Sequence, residues 1–185
     1  AHAADRGIGL KAFEEAQALY LKGDFKGSLK PLSEALDNLP RSLPARALSA
    51  RVAHVFNDAE GMQTEARRAL ADFMTASRRP EDHIAQGSAY LILGQSDKAL
   101  ASFNTALKWD PQSAEALAGR SRVWRARGEP AKALSDLDEA LAHAPRTALY
   151  HFNRGHAHYD LKQYPQAVAD LKQAVGALQQ RQEKP

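Results

Sequence analysis

The chain has 185 residues, 44% of them apolar and a quarter charged, with 25 Lys and Arg against 22 Asp and Glu. An excess of three cations is too small to demand nucleic acid or an anionic membrane as partner, and no apolar run approaches the roughly 18–20 residues of a membrane-spanning helix. Cysteine is absent, which excludes disulfide frameworks, thiolate metal sites and cysteine nucleophiles while fitting any redox compartment.

Residues 1–8 read as a flexible N-terminal segment. Their opening letters, "AHAAD", resemble the small-residue end of a secretory signal peptide at Ala1-x-Ala3. That pattern suggests a periplasmic or otherwise exported protein; an expression scar would give the same letters, and a cytoplasmic location is the alternative. The helical stretch "GLKAFEEAQALYLK" then leads through a short turn into "GDFKGSLKPLSEALDNLP", residues 23–40. Residues 43–79 form a poorer copy. Ala50 lies 34 residues after Ala16, yet Ala66 lies 38 after Ser28. The extra residues are expected to lengthen the turn "NDAEGMQ", with an insertion near Pro40 to Pro44 as the other possibility.

The next three copies are regular. Segments 94–111 ("GQSDKALASFNTALKWDP"), 128–145 and 162–175 align without gaps on Ala99, Ala133 and Ala167, each followed four residues later by Phe103, Leu137 or Leu171. Gly87, Ser121 and Gly155 supply a small residue in the preceding helix, followed by Tyr90, Trp124 and His158. A helix pair repeated every 34 residues cannot bury its apolar face alone, so the copies must stack. Pro40, Pro111 and Pro145 stop each second helix before the next pair begins.

The order Gly87-x2-Tyr90, Ala99-x3-Phe103, Pro111 resembles the tetratricopeptide repeat, whose signature sets Leu-Gly, Tyr, Ala-x3-Phe and Pro at fixed offsets. The resemblance covers about residues 9–180. It implies an all-α, right-handed superhelical solenoid of antiparallel helix pairs, about five repeats at 9–42, 43–79, 80–113, 114–147 and 148–181, the second degenerate, with a tail at 182–185. It also implies a non-catalytic scaffold or adaptor that binds a peptide segment or helix of a protein partner. Bacterial proteins of this kind serve cell-envelope assembly, secretion or polysaccharide export.

Internal comparison accounts for several charges. Arg120 and Asp136 lie 16 residues apart, as do Arg154 and Asp170, whereas repeat three holds Gln86 and Ser102 at those slots. Both charges vanish together, the mark of a partly buried pair joining the helices of one repeat.

The stretch "HFNRGHAHYD" raises the question of a metal. His151 and His158 are two helical turns apart and His156 points away from both, so no i, i+4 ligand pair exists. His151 and His158 fall in the core slots of Leu117 and Trp124, so packing is the expected role, and no metal or other cofactor is expected. There is no G-x-S-x-G elbow and no phosphate-binding glycine loop, so catalysis is not expected either.

What remains is the inner face, lined by the first helix of each pair. The peptide-binding groove expected there comprises Phe13, Gln17, Tyr20, Arg51, Ser88, Arg122, Arg125, Phe152, Asn153, His156 and Tyr159. Aromatics beside guanidinium groups suit a segment with apolar and acidic side chains. The two-carboxylate clamp of chaperone-binding relatives is missing: its positions read Ile84, Ser88, Gly119, Leu149 and Asn153 in one register and Phe13, Gln17, Val52, Glu81 and Ala85 in the other. Two alternatives stand beside the peptide reading. The last helix leaves Val168, Leu171, Val175 and Leu178 without a following repeat, which suggests a homo-oligomer. The run "RSRVWRARG" at 120–128 suggests RNA binding, though no other repeat extends the basic stripe.

Overall fold

The computed structural model describes residues 3–73 and 79–179, with the side chains of residues 3, 4, 178 and 179 outside the description together with the expected tail at 182–185. Among the described residues there are ten helices and no strand: α1 (Ala3–Leu21), α2 (Phe25–Asn38), α3 (Leu43–Val55), α4 (Ala59–Asp72), α5 (Pro80–Ile92), α6 (Ser96–Trp109), α7 (Ala114–Ala126), α8 (Pro130–His143), α9 (Ala148–Asp160) and α10 (Tyr164–Gln179).

Local chemistry fixes where these helices start. Asp24, Ser42, Asp58 and Ser113 each accept a hydrogen bond from the backbone N–H three residues ahead, at Gly27, Ala45, Gly61 and Ala116. Pro44, Pro80 and Pro130 stand in first turns, where a missing N–H costs nothing. Within each pair the chain reverses at one left-handed residue: Gly23, Asn57, Gly94, Gly128 or Lys162. Pro40, Pro111 and Pro145 each follow a second helix by two residues.

Odd-numbered helices form an inner layer and even-numbered ones an outer layer. Each inner helix packs on its own outer partner, on the outer helix of the preceding repeat and on the next inner helix, the geometry of a solenoid. The small slots make this possible. Ala16, Ala50, Gly87, Ser121 and Gly155 are all buried. Phe103, fully buried, lies between two glycines: a Cβ on Gly87 would stand 2.9 Å from its ring and one on Gly119 2.3 Å from it.

Helix α1 begins at Ala3, inside the expected N-terminal segment 1–8, and Gly9 packs against Leu39 of the first junction. One expectation is corrected. The extra residues of repeat two lie neither in "NDAEGMQ" nor near Pro40. Asn57, with φ of 57°, takes the left-handed position of Gly23, so the turn keeps its normal length. Met62 then fills the slot of Ser28 and Ala99, and Ala66 the slot of Leu32 and Phe103. The insertion falls in the junction 73–79, seven residues between Asp72 and Pro80, where the other junctions have four.

Candidate partner-binding face

The inner face divides into a closed centre and an open end. At the centre, Glu115 in the first turn of α7 accepts from Arg51 Nη1 of α3 at 3.0 Å and from Gln17 Nε2 of α1 at 2.7 Å. The Arg51 guanidinium also lies over the Tyr20 ring, 5.0 Å from its centroid. These partners are 64 and 98 residues from Glu115 in the chain, and only curvature of the solenoid brings them together. Apolar contacts follow the same path: Leu21 of α1 packs on the cluster of Leu117 and Tyr150, and Leu149 of α9 on that of Ala16, Tyr20 and Leu48. The first helix thus meets α7 and α9 across the inner face.

This closure buries four expected groove residues: Tyr20, Arg51, Ser88 and Asn153 are each 9% exposed or less. Phe13 and Gln17 are half-buried. Two small spaces remain, about 50 Å³ beside Phe13, Arg51 and Ile84 and about 20 Å³ beside Tyr20, Arg122 and Asn153. At about 10–15 Å³ per water, they hold a few waters and no peptide. Burial alone would lower the Arg51 guanidinium, but Glu115 beside it outweighs burial and raises it. Burial of Tyr150, with Glu115 adding to it, pushes its phenol well above the ordinary range, so the hydroxyl stays protonated.

The open end lies on α9. Phe152 is 46% exposed and Tyr159 61%, and their spacing of seven puts them on one face. Phe152 packs edge-on to His156, with ring centroids 4.4 Å apart, and Tyr159 edge-on to Tyr164 at 5.7 Å. Burial, then the nearby Arg125, push the His156 imidazole below its ordinary value, with Asp160 opposing them. Arg125 Nε donates to Asp160 Oδ2 at 2.7 Å, which fixes α7 to α9 along this strip.

The eleven expected residues therefore do not form one groove. Phe13, Gln17, Tyr20, Arg51, Ser88, Arg122 and Asn153 gather around the closed centre, whereas Arg125, Phe152, His156 and Tyr159 make the exposed strip. Glu115, Tyr150 and Tyr164 belong to these sites but were not among them. Glu115 reads in sequence as an ordinary acidic residue at a helix start, and nothing local reveals partners so far away. Tyr164 lies five residues after Tyr159 across the turn and is the one member that spacing could have found.

The arginine run at 120–128 is largely turned to carboxylates of the same chain: Arg120 to Asp136, Arg125 to Asp160 and Arg127 to Asp97. His151 and His158 both reach Asp170, at 3.3 and 3.7 Å. Among the described residues no group of three or more His, Asp or Glu side chains is placed to hold a metal ion, and no helix is long and apolar enough to cross a membrane.

Comparison with known proteins agrees with this architecture. The family signature for the tetratricopeptide repeat matches residues 84–142 and 125–181, together more than half of the chain. Human tetratricopeptide repeat protein 34 is 35% identical over 80 residues, 43% of this chain, and its mouse counterpart 31% over 119 residues, 63% of it. The matches span 14% and 22% of those proteins. Among solved structures, the thermophilic protein TTC0263 of Thermus thermophilus superposes with a TM-score of 0.63 at 19% identity, over 91% of either chain. YrrB, described as a tetratricopeptide repeat protein with an unusual peptide-binding site, gives 0.51 at 17% identity over 90% of this chain and 84% of its own. Likeness at these identities concerns the fold. With its five helix pairs in the described residues and the signature over its last three, the chain belongs to the tetratricopeptide repeat family, whose members are in general non-enzymatic scaffolds for protein interaction.

Proposed function

We propose that the chain is a non-catalytic adaptor that holds a short segment or helix of a protein partner against the strip formed by Arg125, Phe152, His156 and Tyr159. The observation that carries this reading is the exposure of Phe152 and Tyr159 on one face of α9, while the centre of the inner face is filled by the protein's own side chains. Exposed aromatics beside an arginine are the residues that most often anchor a protein interface. The peptide-binding site described for YrrB lends the fold a precedent, not a location. The test is the double substitution Phe152→Ala, Tyr159→Ala, assayed by co-purification from the source cells with the partners identified by mass spectrometry. The partner held by the wild type should be lost at unchanged Tm; the same partner in equal yield would remove the reading.

A second reading, self-assembly through α10, has its own observation. Val168 and Val175 are each 50% exposed, whereas Leu141 of α8, the equivalent of Val175, is 6% exposed beneath the next repeat and Leu134, the equivalent of Val168, is half-buried. The side chain of Leu178 lies outside the described residues. Light scattering should give a dimer that Val168→Glu, Val175→Glu returns to monomer; a monomeric wild type at high concentration would dismiss this reading.

A further inference from the structure

We propose that the pocket where α1 closes over α3, α5, α7 and α9 binds one small monovalent anion, of about the size of chloride, between the guanidinium groups of Arg51 and Arg122. The pocket lies at the closed centre, apart from the exposed strip of α9.

Charge makes the first argument. The charged side chains that line the cavity are Arg51, Arg122 and the single carboxylate Glu115, and the next charges along the inner face are Arg125 and Asp160. Glu115 is paired with Arg51 and Asp160 with Arg125. Arg122 makes no ion pair or hydrogen bond among the described residues, although it is half-buried. Burial, together with Arg51 and Arg125 nearby, pushes its guanidinium below the ordinary value, so this environment disfavours the cation unless an anion accompanies it.

The second argument is an orphaned donor. Arg51 is 9% exposed, and its buried Nε has no hydrogen-bond partner. A buried donor left unsatisfied costs about 1–3 kcal/mol, so native structures rarely keep one. Arg51 and Arg122 line the same cavity, and a single acceptor there serves both. Ser88 and Asn153 add donors on its wall, as does the protonated Tyr150 hydroxyl. The one carboxylate on the wall, Glu115, already accepts on both oxygens.

Size makes the third. A cavity of about 20 Å³ matches a group of about the size of a water or a chloride ion better than phosphate, sulfate or a whole peptide side chain. The anion would tie α3 to α7 through the two guanidinium groups, so its binding should appear as stability.

The test is thermal unfolding at one fixed ionic strength in chloride, bromide, formate or gluconate, the last too large to enter. Tm should rise by about 3–5 °C for each tenfold increase in a small anion above its Kd, and the rise should vanish in Arg122→Gln. Chloride and bromide raising Tm more than formate supports the proposal, whereas formate acting as strongly as chloride would mean that the occupant is not of the size of chloride and would overturn it. Equal Tm in chloride and gluconate, or a chloride effect that survives Arg122→Gln, would overturn it. Should Arg122→Gln not fold, the chloride NMR linewidth of the wild type decides: broadening that excess bromide reverses supports the site, and an unbroadened line rejects it.

Discussion

Asp170 gathers more of the last repeat than any other side chain. Arg154 donates to both of its oxygens, Nε at 2.8 Å and Nη2 at 2.7 Å, and His151 Nδ1 lies 3.3 Å away. Arg154 also donates to Asp138 of α8, so one guanidinium joins three helices. Asp170→Ala should lower stability by about 2–4 kcal/mol, below the range for fully buried pairs because Arg154 keeps part of its surface in water; a chemical denaturation curve checks this. Burial alone would raise the Asp170 carboxyl, but the bonds from Arg154 and His151 outweigh it and hold it below its ordinary value. A depressed carboxyl stabilises the fold above the unfolded value of about 4 and loses that contribution as pH falls below it. Wild type and Asp170→Asn should therefore differ at neutral pH and converge in acid. The Arg–Asp pairs of repeats four and five were legible because both charges vanish together in repeat three, where Ser102 donates to Gln86 at 2.8 Å instead. The histidines were legible as slot fillers only, since their shared carboxylate lies on the other helix.

At the scale of the element, five turns use the same left-handed position with three different residues. Lys162, at φ 59°, stands where three other repeats have glycine, and a Cβ there is strained. Lys162→Gly should stabilise by about 0.5–1 kcal/mol, read as a higher Tm, and a lower Tm would mean that the lysine makes an offsetting contact. Gly119→Ala should act oppositely, because its Cβ would meet the Phe103 ring at 2.3 Å, and overpacking of this kind costs about 1–3 kcal/mol. The same turns explain the misplaced insertion of repeat two. Counting small residues in the sequence aligned Ala66 with Ser28; the left-handed Asn57 shows that Met62, a larger side chain, holds that slot, and so the pattern was hidden.

The fold of the whole molecule follows from period and packing, so it was legible. Closure of its inner face was not, because Glu115, Gln17 and Arg51 reveal nothing until curvature brings three repeats together. Glu115→Gln should leave Arg51 without its counter-charge and loosen α1, raising amide hydrogen exchange in residues 9–21 ahead of global unfolding. Closure also divides the inner face into a centre filled by the protein's own side chains and an exposed strip on α9. The most direct test places a photo-crosslinking residue at Tyr159 or at Tyr20 and irradiates the source cells. A partner adduct at 159 and none at 20 is the predicted result; equal adducts at both positions would mean that the centre is an open groove and would contradict the account.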